Sequence, residues 1–188
     1  MKDLQKRSEF WSEKHTIPFQ GNSKEFPLSV VPNYQQYVEN KMVMEIGPGE
    51  GRQLDKIKPL TDGYVIADIS QSVLDKHSSI PGFLITNYSE DFGIRVDTIV
   101  LFYVFHHVMV EEVDSFILFL KRHLNFDGHL CFNIPINHSG DGDGITTTNY
   151  KPKDFIQKLL DHNLDVLYNE SLDQVKNTNN FMIVAKNK

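Results

Sequence analysis

Three alternating glycines, Gly47-Pro48-Gly49-Glu50-Gly51, follow directly on the apolar run Met42, Val43, Met44 and Ile46, which carries one carboxylate, Glu45. This pattern predicts a buried strand, a tight turn and a helix resuming through Gln53, Leu54 and Ile57. Glycine lets the backbone turn sharply and approach a ligand with no Cβ in the way. The first N–H groups of the following helix lack intrahelical partners and point at whatever polar or anionic group binds there. Downstream, Gly63-Tyr64-Val65-Ile66-Ala67 reads as a second strand that ends in Asp68. An acidic residue about twenty positions after such a turn can hold a ribose diol, because a carboxylate accepts two charge-assisted hydrogen bonds. Asp68 could instead cap the next helix, although Ser70 is the better N-cap for it. Turn and acid together predict a nucleoside-cofactor site.

The spacing of the glycines discriminates between ligands. Dinucleotide folds use G-x-G-x-x-G, which would need a glycine where Arg52 stands. No Gly-Lys-Ser/Thr follows, which excludes a phosphate-binding P-loop. Gly47-x-Gly49-x-Gly51 preceded by Glu45 resembles the first motif of class I S-adenosylmethionine-dependent methyltransferases of the small-molecule type. The stretch 96–108 resembles their fourth-strand segment, in which an aspartate (Asp97) opens the strand and an apolar-His-His-apolar group (Phe105 to Val108) follows.

The resemblance spans residues 33–188 and implies S-adenosylmethionine as cofactor, with methyl transfer to a small-molecule oxygen, nitrogen or carbon. It implies that Glu45 faces the cofactor's ammonium group, with Gly47, Gly49 and Gly51 beneath it and Asp68 and Ile69 at the ribose. The adenine contact falls to the loop after the third strand, at Asn87 and Tyr88, where the family commonly has an aspartate. An asparagine oxygen still accepts a hydrogen bond, without the charge, and Glu90 or Asp91 could take the role instead. Leu101, Phe102 and Tyr103 would line the pocket beside the sulfonium. His106 and His107 are the candidate catalytic residues, since imidazole titrates near neutrality and can take a proton from a substrate hydroxyl. A histidine in that position can equally just hydrogen-bond backbone. Two other readings stay open, a non-catalytic cofactor-binding regulatory or partner subunit and an NAD-dependent Rossmann enzyme.

A chain of 188 residues suits one domain with a sizeable core. With 40% hydrophobic and 23% charged residues it has the composition of a globular domain. The formal net charge of −6 argues against a nucleic-acid partner, which needs a basic face. Cys131 is the single cysteine and lies in an apolar run, so it is expected to be a buried, inert thiol that offers neither disulfide nor metal cluster. The N-terminus lacks a signal-peptide core and no apolar run is long enough to span a bilayer, so a cytoplasmic location is expected.

Alternating strand and helix patterns predict an α/β fold, a doubly wound, mostly parallel sheet with helices on both faces; the resemblance implies a Rossmann-like seven-stranded sheet closed by an antiparallel C-terminal hairpin. Expected strands are 42–46, 63–67, 83–85, 96–102 and 129–134, then 164–168 and 180–185 as the hairpin. Expected helices cover 70–77, 111–124 and 153–162, and the fifth strand is expected to start after a turn at 125–128. Residues 1–32 read as an N-terminal extension with a short amphipathic helix around Phe10 and Trp11, either a cap over the site or packing on the flank. The irregular stretch 135–151 reads as a surface loop and substrate lid; its alternating aspartates lack the terminal glutamate of a calcium loop.

Overall fold

The computed structural model describes residues 2–14, 26–136, 148–172 and 179–188. Its centre is β1 (Met42–Ile46), paired in parallel with β2 (Gly63–Asp68) on one side and β4 (Val96–Leu101) on the other. The sheet continues through β3 (Gly82–Leu84), β5 (Leu124–Pro135), β6 (Leu164–Ser171) and β7 (Asn180–Asn187) in the order β3-β2-β1-β4-β5-β7-β6. Only β7 runs antiparallel, to both β5 and β6. The winding reverses between β1 and β4, so a crevice is expected at the carboxyl ends of those strands.

Strand residues point alternately to opposite faces, and each face here is covered. Met44, Ile46, Val65, Ala67, Ile99 and Leu101 pack against Phe116 and Phe119 of α4 (Val113–Arg122) and Phe155 of α5 (Pro152–Asp161). Val43, Tyr64, Ile66, Val100 and Phe102 pack on the other face, against α2 (Leu54–Ile57), Leu74 of α3 (Gln71–Lys76) and the segment Leu28–Val38. Glu45 has the parity of Val43, and Asp68 that of Tyr64 and Ile66. Both carboxylates therefore lie on the second face. The remaining helix, α1 (Lys2–Lys14), lies outside the sheet sandwich.

The helix expected through Gln53, Leu54 and Ile57 forms as a single turn, followed by a 3₁₀ turn at Lys58–Leu60, and two other local expectations need correction. Pro59 has no N–H to donate to the Asp55 carbonyl, so the helix cannot continue. The turn expected at 125–128 is absorbed into β5 as an irregularity, the pairing passing from Val96 opposite Leu124 to Thr98 opposite His129. Asp127 takes φ 63° there, and Asp97 closes the gap by accepting from Asn125 Nδ2 and from the Met42 amide, each at 2.9 Å. Finally, Ser70 stands at the N-cap position of α3 but makes no side-chain cap; its Oγ pairs with Ser12 and Ser72 instead. The lid read at 135–151 falls mostly on 137–147, outside the described residues.

Candidate functional site

At the carboxyl ends of β1 and β2 the chain brings Glu45, the glycine turn and Asp68 together. Gly47, Gly49 and Gly51 take φ of 69°, 51° and 79°, a run that side-chain-bearing residues rarely adopt. A Cβ on Gly47 would also lie 2.6 Å from Val104 Cγ2, so the turn is closed to larger residues from both directions. The Gly47 amide bonds to the Ala67 carbonyl at 2.9 Å, which ties the turn to the end of β2.

Glu45 is 3% exposed and accepts a hydrogen bond from the Tyr64 hydroxyl at 2.6 Å. Burial pushes its pKa up to about 7, against the pull of that hydrogen bond. Asp68 is 7% exposed, and burial pushes it likewise up to about 7, against the amides of Ser70 and Ile69. The Ser70 amide donates to Asp68 Oδ1 at 2.8 Å, leaving the carboxylate capacity for further donors. Two buried acids held near neutrality are poised to ionise when a cation or a pair of hydroxyls arrives.

The sign of the pH effect follows. Both acids have folded-state pKa values above their unfolded ones, so the ligand-free fold holds more protons than the unfolded chain through the interval between them. Stability contributed by the neutral acids is present below the ordinary carboxylate range and is lost as pH rises to about 7. The ligand-free melting temperature is expected to fall by several degrees from pH 5 to pH 8, measured by calorimetry. Asp68→Asn should flatten that slope; an unchanged slope would remove Asp68 from the titration.

Beyond the end of β4 the chain enters a 3₁₀ turn, Phe105–His107. Leu101 is fully buried on the α4 face, whereas Phe102 lies on the face of the two carboxylates. Tyr103 takes φ 64°, a strain worth about 1–3 kcal/mol that clusters at functional sites. Its amide donates to Asn133 Oδ1 at 2.7 Å, and the fully buried Asn133 donates in turn to Asn180 Oδ1 at 2.8 Å. The His106 ring is 7% exposed, with its centroid 5.4 Å from that of Tyr103. The His107 ring lies 4.5 Å from Trp11. Phe105, wholly buried among Phe116, Phe132 and Phe155 at 5.0–5.3 Å, anchors the turn that carries both histidines.

The loop after β3 is bonded mostly to itself. Asn87 Oδ1 accepts from the amide and hydroxyl of Ser89, and Glu90 accepts from Thr86 and Asn87. Asp91 is held well below the usual carboxylate range by Arg95 and the Gly93 amide. Tyr88 turns inward, its ring 4.9 Å from Phe116, and burial pushes its hydroxyl pKa up against the pull of nearby Arg7.

Arg7 itself was not singled out by the sequence. It is 2% exposed, donates to the His107 carbonyl at 2.6 Å and pairs with both oxygens of Glu112 at 2.7 and 2.8 Å. Ser8 Oγ donates to the Ile69 carbonyl at 2.5 Å, and Ser12 meets Ser70 at 2.9 Å. Helix α1 thus bridges the loop after β2 and the turn after β4. Tyr64, Asn133 and His77 also went unnoticed, because their roles depend on contacts between distant parts of the chain. Among the described residues, no group of three or more His, Cys, Asp and Glu could hold a metal, and no helix is long and apolar enough to cross a membrane.

No protein-family model matches the chain, and no curated protein matches it in sequence. Solved structures do resemble it. The magnesium protoporphyrin IX methyltransferase of Synechocystis, with bound S-adenosylmethionine, superposes with a TM-score of 0.76 at 13% identity, over 100% of this chain and 98% of that one. The 1,6-didemethyltoxoflavin-N1-methyltransferase of Burkholderia thailandensis gives 0.76 at 10% identity, over 100% and 89%. A S-adenosylmethionine-dependent methyltransferase of Anabaena variabilis gives 0.75 at 14% identity, over 98% and 95%. At these identities the likeness establishes the fold, the Rossmann-like seven-stranded sheet of methyltransferases.

Proposed function

We propose that this chain is an S-adenosylmethionine-dependent methyltransferase acting on a small-molecule acceptor. The observation that carries the reading is the pair of buried acids, Glu45 and Asp68, on one face of adjacent strands and either side of a turn of three left-handed glycines. The superposed methyltransferases, several solved with S-adenosylmethionine or S-adenosylhomocysteine, support it through the shared fold.

The residues fit the cofactor's chemistry. Glu45, raised by burial to about 7, gains from a neighbouring cation and would hold the ammonium group. Asp68 would accept the two ribose hydroxyls, with Ile69 beside it. Gly47, Gly49 and Gly51 let the backbone approach where a Cβ would block it. Asn87 and Tyr88 are proposed on the adenine side, and Leu101, Phe102 and Tyr103 around the reacting end. Because Leu101 is core-facing, its contribution would be made through its backbone.

Bound there, the cofactor supplies an electrophilic methyl group on a sulfonium. Its methyl group would pass to the acceptor's lone pair, with the carbon–sulfur electrons left on sulfur and S-adenosylhomocysteine as the by-product, while Glu45 and Asp68 would hold the ammonium and ribose in place. The protein holds the reactants in line, and orientation can supply most of the acceleration. Where the acceptor loses a proton, His106 or His107 is the proposed base. Helix α1 is proposed as a cap over the acceptor side, because it spans the ends of β2 and β4. The reading carries with it a cytoplasmic setting, in which lone, buried Cys131 needs no disulfide partner.

Calorimetric titration with S-adenosylmethionine, S-adenosylhomocysteine and NAD tests the proposal. Saturable binding of the first two without NAD is expected. Binding of NAD alone, or of none, would overturn it.

A further inference from the structure

The glycine turn is held by an unexpected element. In this chain the helix after the turn is one turn long, so it gives the loop little support. Support comes instead from the far end of α3. His77 Nε2 lies 2.8 Å from the Gly49 carbonyl oxygen, which can only accept, so Nε2 carries the proton. The same imidazole fills the space over Gly51, where a Cβ would meet its Cε1 at 2.9 Å. Next to it, Lys76 pairs with Glu50. The backbone of His77 is fixed in turn, its amide bonding to the Leu74 and Val73 carbonyls that end the helix.

We propose that His77 is a positioning residue that braces the glycine turn in its ligand-binding conformation. The proposal rests on the turn being the cofactor site. The physical reason is the freedom of glycine: three such residues in one turn lose more conformational entropy on ordering than any other residues would. A loop ordered before the ligand arrives binds it more tightly, because that cost is already met. The direction of the Gly49 carbonyl matters as well. In a trans peptide the following N–H points the opposite way, so holding that oxygen towards α3 sets the direction of the Glu50 amide. Helix α3 begins three residues after Asp68 and ends on the glycine turn, so its six residues tie the two halves of the site together.

Two variants separate the hydrogen bond from the filled space. His77→Leu keeps bulk over Gly51 and loses the donor; His77→Gln keeps an N–H that can reach the carbonyl. Hydrogen exchange of the Gly47, Gly49, Glu50 and Gly51 amides in the ligand-free protein and calorimetric affinity for S-adenosylhomocysteine are read together, with the ligand-free melting temperature as control. For His77→Leu we expect exchange in the turn to rise about tenfold and affinity to fall about tenfold, at a melting temperature close to wild type. His77→Gln is expected to restore both to within about threefold. Exchange and affinity unchanged in His77→Leu would overturn the brace, as would a fall in His77→Gln equal to that in His77→Leu. Faster exchange in His77→Leu alongside no binding by wild type would overturn the cofactor reading while upholding the brace.

Discussion

Asp68→Ala is expected to lower affinity for S-adenosylhomocysteine by about 1.5–3 kcal/mol, the usual contribution of hydrogen bonds to a charged group, or roughly ten- to more than a hundredfold. The expectation follows from the site's economy of groups. Asp68 is nearly buried and one oxygen already serves the Ser70 amide, which leaves acceptor capacity that two ribose hydroxyls could use. Loss of the carboxylate also removes a buried acid that destabilises the empty fold above neutral pH. The alanine variant should therefore fold, and its melting temperature at pH 8 should hold near that of wild type while affinity collapses. Asp68→Asn refines the test. Asparagine keeps an oxygen for Ser70 but then turns its NH2 group towards the ribose, without charge. It should preserve the loop and still lose about tenfold in affinity. Unaltered affinity in both variants would mean that the ribose is held elsewhere.

Much of this arrangement is legible in the chain because it is local. The glycine spacing, the single acid within β1 and the acid ending β2 each sit within a few residues of the structure they create. All seven strands appear where alternating or continuous apolar runs predict them. What the sequence hides is long-range. Arg7 looks like one more charge on an amphipathic helix until α1 lands on Glu112, more than a hundred residues away. His77 looks like a helix end with no further role until α3 meets the glycine turn. Asn133 sits in an apolar run as an apparent blemish, and becomes the partner of the strained Tyr103 amide. The misread local features have local causes of a different kind: the 125–128 turn is taken into β5 as an irregularity, and Ser70 finds other hydroxyls to pair with than the helix amides. The loop after β3 illustrates the same competition, since polar side chains at 86–90 satisfy one another.

Arg7→Ala is expected to release α1 from the turn after β4 while leaving the sheet folded. Breaking a buried ion pair by removing one partner costs about 3–5 kcal/mol, because the other charge is left uncompensated. Glu112 retains a side-chain exposure of 21%, so water can reach it and about 3 kcal/mol is the reasonable expectation. Other ties of α1 include one hydrogen bond to Ile69, a serine pair at Ser70 and the Trp11–His107 contact, neutral interactions each weaker than the Arg7 ion pair. The amides of 2–14 should thus lose their hydrogen-exchange protection at a nearly unchanged melting temperature for the remainder. Arg7→Lys should give a partial loss, since an ammonium keeps the charge but cannot reproduce the guanidinium's several directed bonds. A cap would show a further signature: cofactor affinity near wild type with acceptor turnover reduced. If instead the whole protein melts earlier with α1 still protected, the helix is an integral wall of the domain, and the boundary drawn at residue 32 does not separate a cap from a core.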